Sequence, residues 1–355
     1  MQWIGVMLLD FFFGYKDVRF YRKACELHKK ERFSLILCSA YRTFPLPAAS
    51  RAAKKLKLPL VADMRDIIEQ YTGNEYITQP FRTVPFFDKW IVAAFRSKML
   101  RQRNKALEQA ACVTTVSPWH VEMLKQYNPK VELIYNGFDP DIFYPVQVKT
   151  KQFRITYTGR ILSFAMRDPS LLFEAITVLD REGKIDSADF KVQWFVDDAS
   201  EKVLREELQK YDILGYIDFH GYVSANEVPA ILNSSSVLLQ LTNRSSETGP
   251  KGLMTTKLFE SFGVRKPVLC VRSDESHLEQ AIRETRTGIA ARNTEEAAHF
   301  LLEKYTEWKQ TGHTHITPNE EVINSYSREG QARQFAGIFE KIKGASTNYE
   351  LKNLL

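Results

Sequence analysis

Short blocks of four to six apolar residues alternate along this chain with longer stretches whose apolar positions recur every three or four residues. The first pattern belongs to strands covered on both faces, the second to helices with one buried stripe. In the first half, SLILCSA (34–40), PLVADMRD (59–66), CVTTVS (112–117) and VELIYNG (131–137) predict strands. Helices are expected around 46–57, over roughly 80–109 and from Pro118. Pro140 and Pro145 punctuate a linker ending near residue 150. In the second half, strands are expected at FRITYTGR (153–160), KVQWFV (191–196), YIDFHG (216–221), SVLLQL (236–241), PVLCV (267–271) and GIAA (288–291). Helices fall at 169–182, 200–211 and 224–233, from Thr255 or Thr256, after Ser276 and from Thr294.

This alternation predicts an α/β protein with two doubly wound parallel sheets in tandem and a cleft between them. The first domain covers 1–146 and the second 147–325. Residues 326–355 form a last helix, SREGQARQFAGIFEKIK (327–343), which could return to the first domain, and a loose tail. The length of 355 residues agrees with two cores rather than one. A net charge of +6 suits an anionic small ligand or an anionic membrane surface, and no base-reading motif points to nucleic acid. Cys25, Cys38, Cys112 and Cys270 are far apart and lack metal-ligand spacing, which fits reduced thiols in the cytoplasm. The apolar start MQWIGVMLLDFFFGYKDVRF is broken by Asp10, is too short to span a bilayer and lacks signal-peptide features. The expected protein is cytoplasmic, or peripheral on the inner face of the membrane.

Ligands of such sheets bind beyond the carboxyl ends of the strands, so the residues there are the candidates. Gly159 and Arg160 follow the 153–158 strand, with Arg167 seven residues on. Guanidinium groups match phosphate oxygens, although two surface arginines would read the same way. The turn Gly221-Tyr222-Val223 could carry a nucleobase or be a plain strand-to-helix turn. The small-residue loop 245–256, SSETGPKGLMTT, opens a helix at Thr255 or Thr256 with Lys257 in its first turn and Glu260 one turn in. A lysine there opposes the helix dipole, and a phosphate would reverse that penalty. Glu260 could hold two ribose hydroxyls; the plainer alternative is a solvated Lys and Glu. Asp63, Arg65 and Asp66 close the first-domain strand, either to orient an acceptor hydroxyl or to pair with one another. Asp139-Pro140-Asp141 lies in a linker and Asp197-Asp198 at a strand-end turn; Ser117 and His120 have no visible third partner. Residues 82–105 hold seven Lys/Arg (82, 89, 96, 98, 101, 103, 105) and Asp88, with Trp90, Ile91, Val92, Phe95, Met99 and Leu100 between them. That reads as a packed amphipathic helix or an interfacial one.

VTTVSPWHVEML (113–124), VELIYNGFDPDIF (131–143), ITYTGRILSFAMRDPSLLFEAI (155–176), HGYVSANEVPAIL (220–232) and GLMTTKLFESFGVRKPVL (252–269) together resemble the retaining family-4 glycosyltransferases of the GT-B fold, from about residue 15 to 343. PLVADMRD (59–66) is similar to a first-domain segment of their capsule and lipopolysaccharide members. The resemblance implies two Rossmann-like domains facing a cleft. It puts Arg160 at the arginine of the diphosphate-binding pair, with Arg167 one place off the usual lysine and Lys257 sharing the role. Glu260 takes the second glutamate of the Glu-x7-Glu motif, and Gly252 stands where the first belongs. Backbone amides of 252–256 would replace it. The first domain lacks the expected opening strand and glycine-rich turn, so it reads as incomplete and the chain as truncated.

The implied activity is transfer of a sugar from a UDP- or GDP-linked donor to a saccharide or lipid-linked saccharide hydroxyl, with retention, in surface polysaccharide or glycolipid synthesis. Neither metal nor cofactor is expected, since Arg160, Lys257 and the helix terminus would neutralise the diphosphate while Asp63 and Arg65 serve the acceptor. The rival readings are a nucleotide-sugar epimerase or phosphorylase of the same plan, and a non-catalytic remnant that binds nucleotide sugar.

Overall fold

The apolar block Leu60-Val61-Ala62 forms a fully buried strand because parallel neighbours flank it on both sides. The computed structural model describes residues 14–70, 85–161, 164, 167–242 and 254–352. The chain divides into unit 1, residues 1–135 with 333–355, and unit 2, residues 136–332.

Unit 1 runs α1 (Tyr15–Glu31), β1 (Ile36–Tyr41), α2 (Leu46–Leu56), β2 (Leu60–Asp66), a short 3-10 turn (Ile68–Gln70), α3 (Pro85–Glu108), β3 (Cys112–Thr115), α4 (Pro118–Leu124) and β4 (Val131–Leu133). The sheet is parallel with order β1-β2-β3-β4. Its core gathers Cys38, Leu46, Met64, Leu107, Val113 and Leu124. Ser117 caps α4 by accepting the His120 N–H at 3.2 Å, and Pro118 follows at the position where its missing N–H costs nothing. The predicted 131–137 strand is shorter than expected: it pairs with β3 only as far as Leu133, and the Ile134 N–H still reaches the Thr115 carbonyl. Helix α1 is not anticipated by the sequence reading; it opens after a left-handed Gly14 with no side-chain cap.

Unit 2 runs β5 (Phe153–Thr158), α5 (Ser170–Arg181), β6 (Phe190–Phe195), α6 (Asp198–Leu208), a 3-10 turn (Leu214–Tyr216), β7 (Ile217–Phe219), α7 (Val228–Asn233), β8 (Val237–Leu241), α8 (Thr256–Val264), β9 (Val268–Val271), α9 (His277–Thr285), β10 (Gly288–Ala291), α10 (Thr294–Thr311), α11 (Glu320–Ser325) and the start of α12 (Arg328–Lys352). All pairings are parallel, in the order β10-β9-β8-β5-β6-β7. The chain winds outward from β5 to β7, returns to β8 beside β5, and winds outward the other way. The order therefore reverses between β5 and β8, the place where a doubly wound sheet opens a crevice. An aromatic core of Phe153, Phe173, Phe190, Trp194 and Trp308 fixes the sheet against its helices. The predicted loose tail is corrected in part, because α12 continues to Lys352. Among the described residues no helix is long and apolar enough to cross a membrane.

Candidate functional site

Helix α8 is held from below. Leu258, Phe259 and Phe262 are fully buried, each worth about 2–3 kcal/mol relative to exposure. Tyr326 packs against both phenylalanine rings, and a Cβ at Gly263 would stand 2.7 Å from Phe143, so the helix sits tightly on the 138–143 linker. This anchoring aims its first turn at the end of β5. Thr255 is the N-cap residue but its side chain makes no cap hydrogen bond, and the first turn has no acid. Thr256 is exposed. With no cap from the Thr255 side chain, the helix start offers N-terminal N–H groups and partial positive charge.

Lys257 lies over β5. Its ammonium is 3.3 Å from the Tyr157 hydroxyl and 4.9 Å from the centre of that ring. Gly159 makes this approach possible: it adopts φ +117°, and a Cβ there would fall 2.4 Å from Nζ of Lys257. Tyr157 donates to the Arg160 carbonyl at 3.0 Å, and an Arg167 N–H donates to that same carbonyl. Tyr157 thus ties the Gly159–Arg160 turn to Lys257 and Arg167.

Burial, and then the Arg167 charge, lower the Lys257 pKa to about 8, against a smaller opposing pull from Glu260. Burial raises the Glu260 pKa, while Lys257 and Arg328 lower it. Glu260 accepts no hydrogen bond from the described residues. The site therefore holds cations crowded into a half-buried place, with a carboxylate one turn behind that has acceptor capacity to spare. Such an arrangement can receive an anion at its mouth and hydroxyl donors at its side.

Arg160 takes a different place from the expected one. Its side chain is 65% exposed and its Nε meets Asp197 at 3.0 Å, so Arg167 is the guanidinium beside Lys257. Asp197 is the N-cap of α6 and accepts from the Ser200 N–H at 3.0 Å. Gly221 has φ +71° with open space where a Cβ would be, Tyr222 is 73% exposed, and Val223 is half-buried. His220 stacks on Phe195 at 4.6 Å beside this turn. Gly252 and loop 245–253 lie outside the described residues.

In unit 1 the predicted group is closed on itself. Asp63 accepts from Thr114 Oγ1 at 2.8 Å and from Arg65 Nε at 2.8 Å. The Arg65 guanidinium lies 5.7 Å from the Phe335 ring centre. Asp66 accepts from Gln70, and Gln70 meets His120 Nε2 at 3.0 Å. His120 is buried, which lowers its pKa to about 4, and Ser117 serves as its helix cap rather than a nucleophile. Asp139 accepts from the Asp141 N–H at 3.0 Å and forms a turn. Of the seven cations at 82–105, Arg103 is fully buried and bonded to Glu69 by two contacts of 2.6 Å. Arg82 and the Lys89 side chain lie outside the described residues.

Sequence reading missed Tyr157 and Arg328. Tyr157 passes for an ordinary core residue within a strand, and Arg328 is 68 positions from Glu260. The signal for Tyr157 is its place one residue before the end of β5.

This is a two-unit α/β chain whose second unit brings Lys257 and Arg167 together beside the start of α8. The Glycosyltransferase Family 4 model matches residues 4–142. Among solved structures, the chain is similar to Anabaena HepE in complex with UDP, with 14% identity and a TM-score of 0.59 over 90% of this chain and 82% of that one. A glycosyltransferase from Rickettsia africae matches at 14% identity and a TM-score of 0.57, over 92% and 82%. Sucrose-phosphate synthase from Thermosynechococcus elongatus matches at 16% and 0.54, over 92% and 78%. These likenesses show the fold, which is GT-B. Among curated proteins, none has a sequence similar enough to count as a relative.

Proposed function

We propose that the chain is a glycosyltransferase that moves a sugar from a nucleotide sugar to a hydroxyl acceptor with retention. The observation that carries this reading is the meeting of Lys257, Arg167 and the open start of α8 over Gly159, at the crevice between β5 and β8. The similarity to a UDP complex of the same fold supports a diphosphate there, as does the family match over the first 142 residues.

In this reading the diphosphate lies on Lys257, Arg167 and the α8 amides of Thr255 and Thr256. Glu260 holds the ribose hydroxyls. The base reaches the Gly221-Tyr222-Val223 turn; β7 is two strand spacings from β5, about 10 Å, a length that a nucleoside diphosphate spans. The exposed Arg160 side chain swings from Asp197 to join the phosphates. The bond from the anomeric carbon to the diphosphate oxygen breaks, that oxygen takes the acceptor proton, and the acceptor oxygen bonds to the same face. Cations at the leaving oxygens lower the barrier by stabilising charge that develops there, typically several kcal/mol. Asp63 acts by fixing Arg65 toward the acceptor, a saccharide or lipid-linked saccharide of surface polymer synthesis.

The test is nucleoside diphosphate release from a panel of UDP- and GDP-sugars, with and without saccharide acceptors. Acceptor-dependent release and a product of unchanged anomeric configuration by NMR are expected, with turnover persisting in EDTA. Nucleotide binding without turnover on any acceptor would favour the non-catalytic reading. Conversion of the donor sugar without acceptor would favour an epimerase.

A further inference from the structure

In one segment of unit 1, positive charge and exposed apolar side chains coincide. Residues 14–57 hold 12 Lys/Arg against three Asp/Glu, more excess charge than the +6 of the whole chain. Six large exposed apolar side chains fall in the same segment: Phe20, Leu27, Phe33, Leu37, Tyr41 and Phe44.

Helix α1 organises much of this. At about 100° per residue, Lys16, Arg19, Phe20, Lys23, Leu27 and Lys30 lie within one arc of about 100°, and all six are exposed. Glu26 borders the arc and is shared by Lys23 at 3.0 Å and Lys30 at 3.2 Å. The other side, with Val18, Tyr21, Ala24 and Cys25, is half-buried, and α1 packs against α2. The Phe20 ring meets Phe44 edge-to-face at 5.1 Å, and the Arg51 guanidinium stands 5.9 Å from the Tyr21 ring centre. Folding alone asks only for polar groups on such a face.

We propose that this face of α1, with Phe44 beside it, docks unit 1 on an anionic lipid bilayer. Phe20, Leu27 and Phe44 enter the boundary between headgroups and acyl chains, and Lys16, Arg19, Lys23 and Lys30 meet the lipid phosphates. Charge complementarity selects this occupant. A bilayer offers negative charge with an apolar layer a few ångströms beneath it. A second copy in a two-fold contact would bring the same cations face to face. A nucleic acid backbone would match the cations and leave the phenylalanines exposed. The basic stretch at 82–105 does not offer the same surface, since Arg103 is buried on Glu69 while Arg96 and Lys98 are half-buried. The proposal is independent of the glycosyl-transfer reading.

The experiment is co-sedimentation of the full chain with phosphatidylcholine vesicles, with and without about a third of phosphatidylglycerol, at low and high salt. Binding to the anionic vesicles, released by salt, is expected. The triple variant Lys16→Gln/Arg19→Gln/Lys23→Gln should partition about a hundredfold less, at about fivefold per cation. Phe20→Ser/Phe44→Ser should weaken binding while the salt dependence persists. Lys98→Gln/Arg101→Gln/Lys105→Gln should match the wild type, and melting followed by circular dichroism checks that all three variants fold. Equal binding to neutral vesicles, or loss in the α3 variant with the α1 variants unaffected, would overturn the proposal. So would failure to bind any vesicle, whether or not the chain is retained on duplex DNA.

Discussion

Midway along β2, Asp63 has both oxygens engaged within unit 1, and just past that strand's carboxyl end Glu69 is locked onto Arg103. At the carboxyl end of β5, Lys257 and Arg167 crowd together, and Glu260 accepts no hydrogen bond from the described residues. Both ends belong to parallel sheets with polar residues following buried strands. The difference follows strand order. In unit 1 the strands succeed one another in space. In unit 2 the order reverses at β5 and β8, the place where connections from neighbouring strands of a doubly wound sheet diverge. Polar groups at a strand end are therefore weak evidence for a site until the topology shows whether space lies beyond them.

The contrast is sharpest in stability. Arg103→Met should destabilise unit 1 by about 3–5 kcal/mol, because it leaves Glu69 half-buried and unpaired. Lys257→Met should leave stability unchanged or slightly raised, since this cation loses more by burial than its neighbours return. Urea denaturation of both variants checks this; a Lys257 variant as unstable as the Arg103 variant would make the two regions alike.

Gly159→Ala comes next. The left-handed φ and the 2.4 Å approach to Lys257 force either the turn or the ammonium to move. Nucleoside diphosphate affinity should fall about tenfold or more with the fold retained, read by calorimetry beside circular dichroism.

The pH dependence has a definite sign. The Lys257 pKa is about 8 in the folded chain, below its usual 10.5. The unfolded chain therefore binds that proton more tightly, and the lysine costs stability below pH 8, a cost relieved as pH rises from 8 toward 10.5. A bound diphosphate pulls the pKa up again. Binding should take up a proton above pH 8 and weaken as pH climbs from 7.5 to 9.5, which titrations in buffers of different ionisation enthalpy would report. Tyr157→Phe should be the smallest effect, about threefold in affinity, because the ring under Lys257 stays and only the hydroxyl's contacts with Lys257 and the Arg160 carbonyl are lost.

The strands of unit 2 were largely legible. GIAA (288–291) appears with the expected bounds, and 267–271 shifts by one residue to Val268–Val271. Uninterrupted apolar runs mark strands covered on both faces; β8, β9 and β10 are near-continuous runs of this kind, whereas β5, β6 and β7 carry polar residues between their apolar ones. The start of α8 was legible from small residues giving way to an amphipathic turn. What escaped depends on contacts distant in sequence. Arg160 finds Asp197 and Arg103 finds Glu69, 37 and 34 positions away, and composition alone reads all four as surface charges. Helix α1 escaped because its buried stripe is thin and no capping residue announces it.

The account rests on a nucleoside diphosphate settling where Lys257 and Arg167 meet the start of α8. The most direct measurement is isothermal titration of UDP and GDP into the wild-type chain and into Lys257→Ala and Glu260→Ala, each checked for native circular dichroism. The account predicts that one of the two nucleotides binds the wild type, and that each variant weakens it at least tenfold. Equal affinity in all three proteins would contradict it.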